Sequence, residues 1–137
     1  MHRYHLEWSR NGTWERIAER LAAAVRQKEG RDAAPSAGIV DARSVRATST
    51  VSKKTKGYDA GKKINGRKTF GIVDTLGLLM AVTVVAASTS DNVGGMTVAD
   101  LARLRSTRFA KLWCDSGFKR TFIEHCRHHH VLSLIHI

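Results

Sequence analysis

Two aspartates, Asp41 and Asp115, are the residues of this chain whose types and positions best suit chemistry on phosphates. Asp41 follows a short β-branched run, and Asp115 follows a second apolar run that ends at Cys114. Carboxylate oxygens are preferred ligands of Mg²⁺ and Mn²⁺, and a pair of such ions can stabilise both oxygens of an in-line displacement at phosphorus. We therefore predict that both aspartates are catalytic metal ligands. The alternative is that they only cap strand ends, where Asp is common.

A strongly basic segment separates the two aspartates. Residues 37–68 hold nine of the 23 Lys and Arg residues but two of the 12 acidic ones, and so carry most of the net charge of +11. Such a localised positive charge is typical of a surface that meets a polyanion. The predicted contacts to the DNA backbone are Lys53, Lys54, Lys56, Lys62, Lys63, Arg67 and Lys68. The alternative is a charged loop that contacts only solvent.

A further aspartate, Asp74, follows the apolar run of residues 69–73. The strand that it ends should run antiparallel to the strand of Asp41, and so should leave the sheet at the opposite edge. We therefore interpret Asp74 as a turn residue before Thr75-Leu76-Gly77 and do not assign it to the site.

The elements that must position Asp41 and Asp115 follow from the apolar pattern. Short apolar runs predict four strands, at residues 37–42, 69–74, 78–87 and 109–114. Helical spacing predicts three helices, at residues 14–29, 98–104 and 121–130, the second after an N-cap at Thr97. Residues 43–68 show no sustained periodicity and predict a long loop without secondary structure, which in a compact domain is commonly functional.

The order of these elements is a helix, three strands, a helix, a fourth strand and a last helix. Three strands joined in sequence and followed by an α crossover are typical of the opening of a ribonuclease-H-like fold. If the crossover makes the fourth strand parallel and adjacent to the first, Asp41 and Asp115 emerge at one sheet edge. We therefore predict an α/β, ribonuclease-H-like mixed sheet, incomplete at the C-terminus and preceded by an N-terminal helix.

Six motifs follow one another along the chain. They are Gly12-Thr13-Trp14-Glu15-Arg16-Ile17, Ile39-Val40-Asp41-Ala42-Arg43-Ser44-Val45, Gly57-Tyr58-Asp59-Ala60-Gly61-Lys62-Lys63, Gly66-Arg67-Lys68, Val73-Asp74-Thr75-Leu76-Gly77-Leu78-Leu79 and Cys114-Asp115-Ser116-Gly117-Phe118. In this order and spacing the chain resembles the DDE transposases of bacterial insertion sequences, over about residues 3–130.

The resemblance implies a Mg²⁺- or Mn²⁺-dependent transposase that cleaves and transfers DNA strands, with transposon ends and target DNA as partners and a homodimer at full length. Its first two catalytic acids map onto Asp41 and Asp115. Ser116 stands where the family usually has Gly, and Phe118 where it usually has Tyr. The family's catalytic Glu lies on a helix beyond residue 137. Glu124 follows Asp115 too closely to replace it, so we expect an inactive fragment.

The resemblance also suggests how the chain is organised. We predict an N-terminal helical segment at residues 1–35, a partial DDE catalytic domain at residues 36–131 and a non-native tail at residues 132–137. The tail reads Leu-Ser-Leu-Ile-His-Ile, which one reading frame of the transposon-end adapter used in tagmentation sequencing encodes. The alternative is a genuine final strand.

Two other functions compete with the transposase interpretation. One is a non-catalytic basic DNA-binding protein, in which both aspartates are structural, and the other is a different ribonuclease-H-like nuclease. A cytoplasmic location without a membrane partner is expected in each case. The two cysteines form no CxxC pair, and the apolar runs are shorter than the roughly 20 residues of a membrane span.

Overall fold

The computed structural model of the chain describes residues 2–130 and 133–136. The chain divides into two units, Met1–Ala34 and Pro35–Ile137. The second unit contains both Asp41 and Asp115. Within the described residues, no helix is long and apolar enough to cross a membrane.

The first unit is a pair of helices, α1 (His2–Arg10) and α2 (Thr13–Lys28). The chain turns between them at Gly12, whose φ of 72° lies in the left-handed region that glycine adopts without steric cost. The Trp8 and Trp14 rings then meet edge to face, with their centroids 5.1 Å apart. Helix α2 confirms the helix predicted at residues 14–29, whereas α1 is an additional helix before it, within the segment of residues 1–35 that the sequence predicts to be helical.

In its described residues, 35–130 and 133–136, the second unit contains a six-stranded sheet and two helices. The strands are β1 (Ala37–Arg46), β2 (Gly57–Asp59), β3 (Ile64–Asp74), β4 (Leu79–Ala86), β5 (Lys111–Cys114) and β6 (Ser133–His136). The helices are α3 (Asp91–Arg105) and α4 (Arg120–His130), and a short 3-10 helix spans Lys53–Thr55.

Strand β1 lies inside the sheet and has a different kind of neighbour on each side. It pairs antiparallel with β3 and parallel with β5, and β6 continues the sheet parallel to β5. On its other edge β3 pairs antiparallel with β2 and β4. The predicted ribonuclease-H-like arrangement is confirmed. Strands β1, β3 and β4 follow one another along the chain, and the crossover through α3 leads to β5, which is parallel to β1.

The hydrophobic core lies on one face of this sheet. Strands β1 and β3 alternate between buried and more exposed residues, which sends Val40, Phe70 and Ile72 into the core. Helix α3 approaches β3 closely because Gly94 has no side chain, and a Cβ there would lie 2.1 Å from the Phe70 ring. Residues on the opposite face of the sheet, such as Val84, are exposed.

Residues 43–68 are structured, so the predicted 26-residue loop without secondary structure is wrong. Strand β1 continues to Arg46, and β3 begins at Ile64. Between them the chain forms the 3-10 helix and β2, which pairs with the start of β3. The sequence hides these strands because Lys, Asn, Ser and Gly interrupt the apolar alternation, and backbone pairing decides the conformation instead.

Two further boundaries differ from the prediction. Helix α3 begins six residues before the predicted N-cap at Thr97, because the Ser90 hydroxyl accepts a hydrogen bond from the N–H of Val93 and caps the helix there. At the C-terminus, Ser133–His136 forms β6, which pairs with β5. The non-native origin of residues 132–137 stays a prediction. Residues 132 and 137 of the predicted tail lie outside the described residues, as does residue 131 of the predicted domain.

Candidate active site and basic hairpin

Asp41 lies in the middle of β1 rather than near its end as the sequence predicts. It pairs with Gly71 of β3 and is exposed, because the alternation of β1 turns it away from Val40 and the core. Ile39 and Arg43 line the same face of the sheet. Asp41 is therefore held in a paired strand with its carboxylate on the face that the helices leave open.

Asp115 directly follows β5 and is also exposed. Its Oδ1 accepts a hydrogen bond of 2.9 Å from the N–H of Gly117, which fixes the carboxylate at the start of a tight turn. The parallel register pairs Ile39 with Trp113. This pairing ends two residues before Asp41 and Asp115, so the two aspartates follow the last paired residues of neighbouring strands that run in the same direction. The parallel pairing of the two strands is as predicted, and the juxtaposition of the two carboxylates stays a prediction.

The residues at this edge suit a hard divalent cation. Two exposed carboxylates offer oxygen ligands and leave room for water and phosphate around an ion. In the part of the chain that the structure describes, no group of three or more His, Cys, Asp or Glu side chains is arranged to hold a metal. The role of Asp41 and Asp115 as ligands of such an ion therefore stays a prediction.

Sequence reasoning missed a third carboxylate near this edge, that of Asp91 at the first position of α3. A Cβ built on Gly117 would lie 3.0 Å from Asp115 Oδ1 and 3.4 Å from Asp91 Oδ2, so the two carboxylates flank this glycine. The signal that could have revealed Asp91 is the Ser90-Asp91 pair, a cap followed by an acid in the first helical turn.

Asp74 is a turn residue, as the sequence predicts. It pairs with Gly38, three positions before Asp41 along β1, and is buried. Its Oδ1 accepts hydrogen bonds of 2.8 and 2.9 Å from the N–H groups of Leu76 and Leu78. Its carboxylate thus organises the turn between β3 and β4.

Most of the predicted DNA contacts lie on the structured segment between β1 and the middle of β3, which we name the basic hairpin (residues 53–67). Its exposed cationic residues are Lys53, Lys54, Lys62, Lys63 and Arg67. Lys56, its other cationic residue, is half-buried. Arg67 donates to the carbonyl and hydroxyl oxygens of Thr55, and Lys62 donates to the carbonyl of Ala42 at 2.9 Å. The basic hairpin therefore presents its charges from an ordered frame.

Lys68 corrects the predicted list of DNA contacts. Its side chain is 7% exposed, and its Nζ lies 3.2 Å from Asp59 Oδ2 and 3.1 Å from Asp91 Oδ1. A buried ammonium needs such partners because an unpaired charge away from water is very costly. Lys68 is therefore committed to internal contacts and does not face the solvent where a phosphate would lie.

Asp59 is the main partner of this lysine and is itself buried. Its carboxylate accepts hydrogen bonds from the Ser44 hydroxyl at 2.6 Å and from the N–H groups of Gly61 and Lys62 at 3.1 Å. These bonds, the Ser44 bond foremost, hold the pKa of Asp59 well below its usual range, and Lys68 adds to the shift. The charged carboxylate thus joins β1, β3 and the hairpin turn.

A family model described as a transposase DDE domain matches residues 32–137. The matched region includes Asp41, Asp115 and the whole basic hairpin. Comparisons with curated proteins and with solved structures gave no match.

Proposed function

Since the chain belongs to the family of transposase DDE domains, we propose that it is part of an insertion-sequence transposase in which Asp41 and Asp115 serve the cleavage and transfer of DNA strands. The observation that supports the proposal is the parallel pairing of β1 and β5, which brings the strand of Asp41 beside the strand that Asp115 follows. Transposon ends and target DNA are the proposed substrates, and the full-length protein is proposed to act as a homodimer in the cytoplasm.

The two aspartates would hold Mg²⁺ or Mn²⁺ through their carboxylate oxygens. When bound, such an ion supplies positive charge that stabilises the attacking and leaving oxygens at phosphorus. Asp41 is oriented by the paired backbone of β1, and Asp115 by the N–H of Gly117. The backbone that carries each aspartate is therefore fixed before the reaction, which lowers the cost of arranging the site for the transition state.

The basic hairpin is proposed to hold the DNA backbone beside these carboxylates. With Lys68 removed from the predicted set, the remaining contacts are Lys53, Lys54, Lys56, Lys62, Lys63 and Arg67. If about five of them neutralise phosphates, the logarithm of the affinity should fall against the logarithm of salt concentration with a slope of about −4.5. A slope near zero for the wild-type chain contradicts this role.

Metal binding tests the role of the two aspartates directly. We expect the 137-residue chain to bind Mn²⁺, followed by its electron paramagnetic resonance signal, and Asp41→Asn and Asp115→Asn each to weaken that binding. Asp32→Asn, an exposed aspartate at the border of the matched region, is the matched control and should bind like the wild type. Equal binding by all four proteins overturns the assignment.

Strand cleavage separates the transposase from the competing functions. We propose that the 137 residues by themselves do not nick plasmid DNA in Mg²⁺, because a third carboxylate is needed to complete the site. Nicking that depends on Asp41 would contradict this. A full-length transposase containing these residues should cleave transposon ends and join them to a target, whereas a plain nuclease only cleaves.

One observation favours the non-catalytic alternative, a basic DNA-binding protein. Among the residues that the structure describes, the acids at the β1–β5 edge do not form a group of three that could hold a metal. In that case DNA binding keeps its salt dependence, while Mn²⁺ binding does not respond to Asp41→Asn or Asp115→Asn. The metal experiment therefore also decides between these two functions.

A further inference from the structure

We propose that Asp59 and Lys68 are positioning residues, which fix the basic hairpin relative to the turn that carries Asp115. The inference rests on the proposed function, since it concerns how bound DNA is aligned with the candidate catalytic acids. It assigns a role to a buried ion pair that contacts neither DNA nor metal.

The first link runs from the hairpin to Lys68. Asp59 ends β2, and its carboxylate binds the backbone of Gly61 and Lys62 in the turn before β3. The same carboxylate lies 3.2 Å from the ammonium group of Lys68 and accepts a 2.6 Å hydrogen bond from Ser44 of β1. The tip of the hairpin is thereby tied to two strands of the central sheet.

The second link runs from Lys68 to the start of α3. Its ammonium group lies 3.1 Å from Asp91 Oδ1 and donates at 3.1 Å to the carbonyl oxygen of Thr89. With Asp59, these partners use all three donors of the ammonium group. The lysine therefore bridges the hairpin and the helix terminus, and is not available to a ligand.

The third link runs from α3 to the turn of Asp115. Asn92 Oδ1 accepts a hydrogen bond of 2.8 Å from the N–H of Lys119, and Asp91 Oδ2 and Asp115 Oδ1 both flank Gly117. Polar contacts thus lead from the hairpin through Lys68 to α3, and from Asn92 of α3 to Lys119, just after the turn that carries Asp115. A shift of the hairpin would carry the DNA away from the carboxylates.

The sign of the effect on DNA affinity makes the proposal testable. Asp59→Asn removes a negative charge, which by electrostatics alone should strengthen binding to DNA. If Asp59 positions the hairpin, the variant should instead lose at least one aligned phosphate contact. That loss is about eightfold in affinity at 0.1 M salt, with a slope shallower by about 0.9. The probe is a fluorescent 30-base-pair duplex of random sequence, followed by anisotropy against KCl concentration.

Three variants serve as comparisons. Glu124→Gln likewise removes one negative charge, but from an exposed side chain on α4. This variant should bind DNA as tightly as the wild type or more tightly. Lys63→Met removes an exposed hairpin cation and should cost about eightfold at 0.1 M salt. The double variant Asp59→Asn/Lys68→Met should bind no more weakly than the weaker of the two single variants, because both act through one ion pair.

Hydrogen exchange supplies a readout that does not depend on DNA. Asp59→Asn and Lys68→Met should speed amide exchange in residues 57–66 and leave α4 unchanged, whereas Lys63→Met should change neither. Lys68→Arg keeps the charge and should restore both slow exchange and affinity. It also keeps the test valid if Lys68→Met fails to fold.

Distinct results overturn the inference and the proposed function. Tighter DNA binding by Asp59→Asn, or unchanged hairpin exchange in both Asp59→Asn and Lys68→Met, overturns the positioning role alone. Additive losses in the double variant do so too, because they place Lys68 on the DNA independently of Asp59. Absence of salt-dependent binding by the wild-type chain overturns the DNA-binding role, and this inference falls with it.

Discussion

At the scale of single residues, Asp59 links stability to pH. Its hydrogen bonds from Ser44 and from the Lys62 backbone stabilise the charged form and lower its pKa in the folded state. A carboxylate with a lowered folded pKa stabilises the protein above its unfolded pKa of about 3.9, and this contribution is lost as the pH falls below that value.

This linkage gives a first prediction. Between about pH 5 and pH 3, the free energy of unfolding of the wild-type chain should fall more steeply than that of Asp59→Asn or Ser44→Ala. Asp59→Asn removes the titrating group, and Ser44→Ala removes the strongest of its hydrogen bonds. Urea unfolding at several pH values measures the slopes. Parallel slopes for the three proteins would contradict the assignment of the shift to Asp59.

The two cysteines give a second prediction at this scale. Burial raises the pKa of the Cys126 thiol to about 12, and burial with the nearby Asp115 charge raises that of Cys114. The thiolate is the reactive form, so both cysteines should resist iodoacetamide in the folded chain at pH 8 and react readily in urea. Mass spectrometry locates the label. Rapid labelling of Cys126 without denaturant would show that α4 opens.

At the scale of elements, β3 shows why particular glycines occur in the sheet. A Cβ on Gly66 would lie 1.9 Å from the carbonyl oxygen of Val45, because β1 and β3 approach closely at the base of the hairpin. A Cβ on Gly71 would meet only the carbonyl oxygen of Ala81, at 4.0 Å. The two glycines belong to one strand and differ mainly in this space.

The third prediction follows from that difference. Gly66→Ala should destabilise the chain by about 1–3 kcal/mol, since the backbone of β1 must shift to admit the methyl group. Gly71→Ala should be neutral or stabilising by about 0.5 kcal/mol, because alanine loses less conformational freedom on folding. Urea unfolding of the matched pair measures both. Equal stability of the two variants would contradict the close approach.

The apolar strands were predictable from sequence because burial alone determines them. The β-branched run before Asp41 becomes β1, which begins at residue 37 as predicted, and the run before Asp74 becomes β3, which ends at residue 74 as predicted. The hairpin was not predictable, since backbone pairing and the contacts of Asp59 order residues whose side chains carry no apolar period. The early start of α3 was hidden by Gly94, which disfavours a helix locally but is required against Phe70.

The candidate site was partly predictable from sequence, because its two aspartates follow apolar strands that burial determines. Asp41 and Asp115 follow apolar runs, so strand position and the crossover suffice to predict that they lie on or directly after neighbouring parallel strands. Lys68 reads as one more cation in a basic segment, and only the fold shows that it is buried between Asp59 and Asp91. Residue type identifies charge, whereas the direction of a side chain depends on the pairing of its strand.

At the scale of the whole molecule, the border between the two units gives a fourth prediction. Arg31 and Asp32 are exposed and lie between α2 and β1, outside any helix or strand. Limited trypsin treatment should therefore cut first at Lys28 or Arg31, leaving a protected fragment that contains residues 35–130. Mass spectrometry identifies the first products. A first cut within the basic hairpin would show that its frame opens more readily than the border.

The position of β1 in the sheet also determines the order in which the molecule can be assembled during synthesis. Its antiparallel partner β3 follows closely in the chain, but its parallel partner begins with Lys111 opposite Ala37, 74 residues later. At about 5–20 residues per second, a ribosome needs about 4–15 s to cover that interval. The edge that receives Asp115 therefore stays open while the basic hairpin is already complete. On the proposed function, a nascent chain meets nucleic acid before its two metal ligands come together, so DNA binding precedes any capacity to cut.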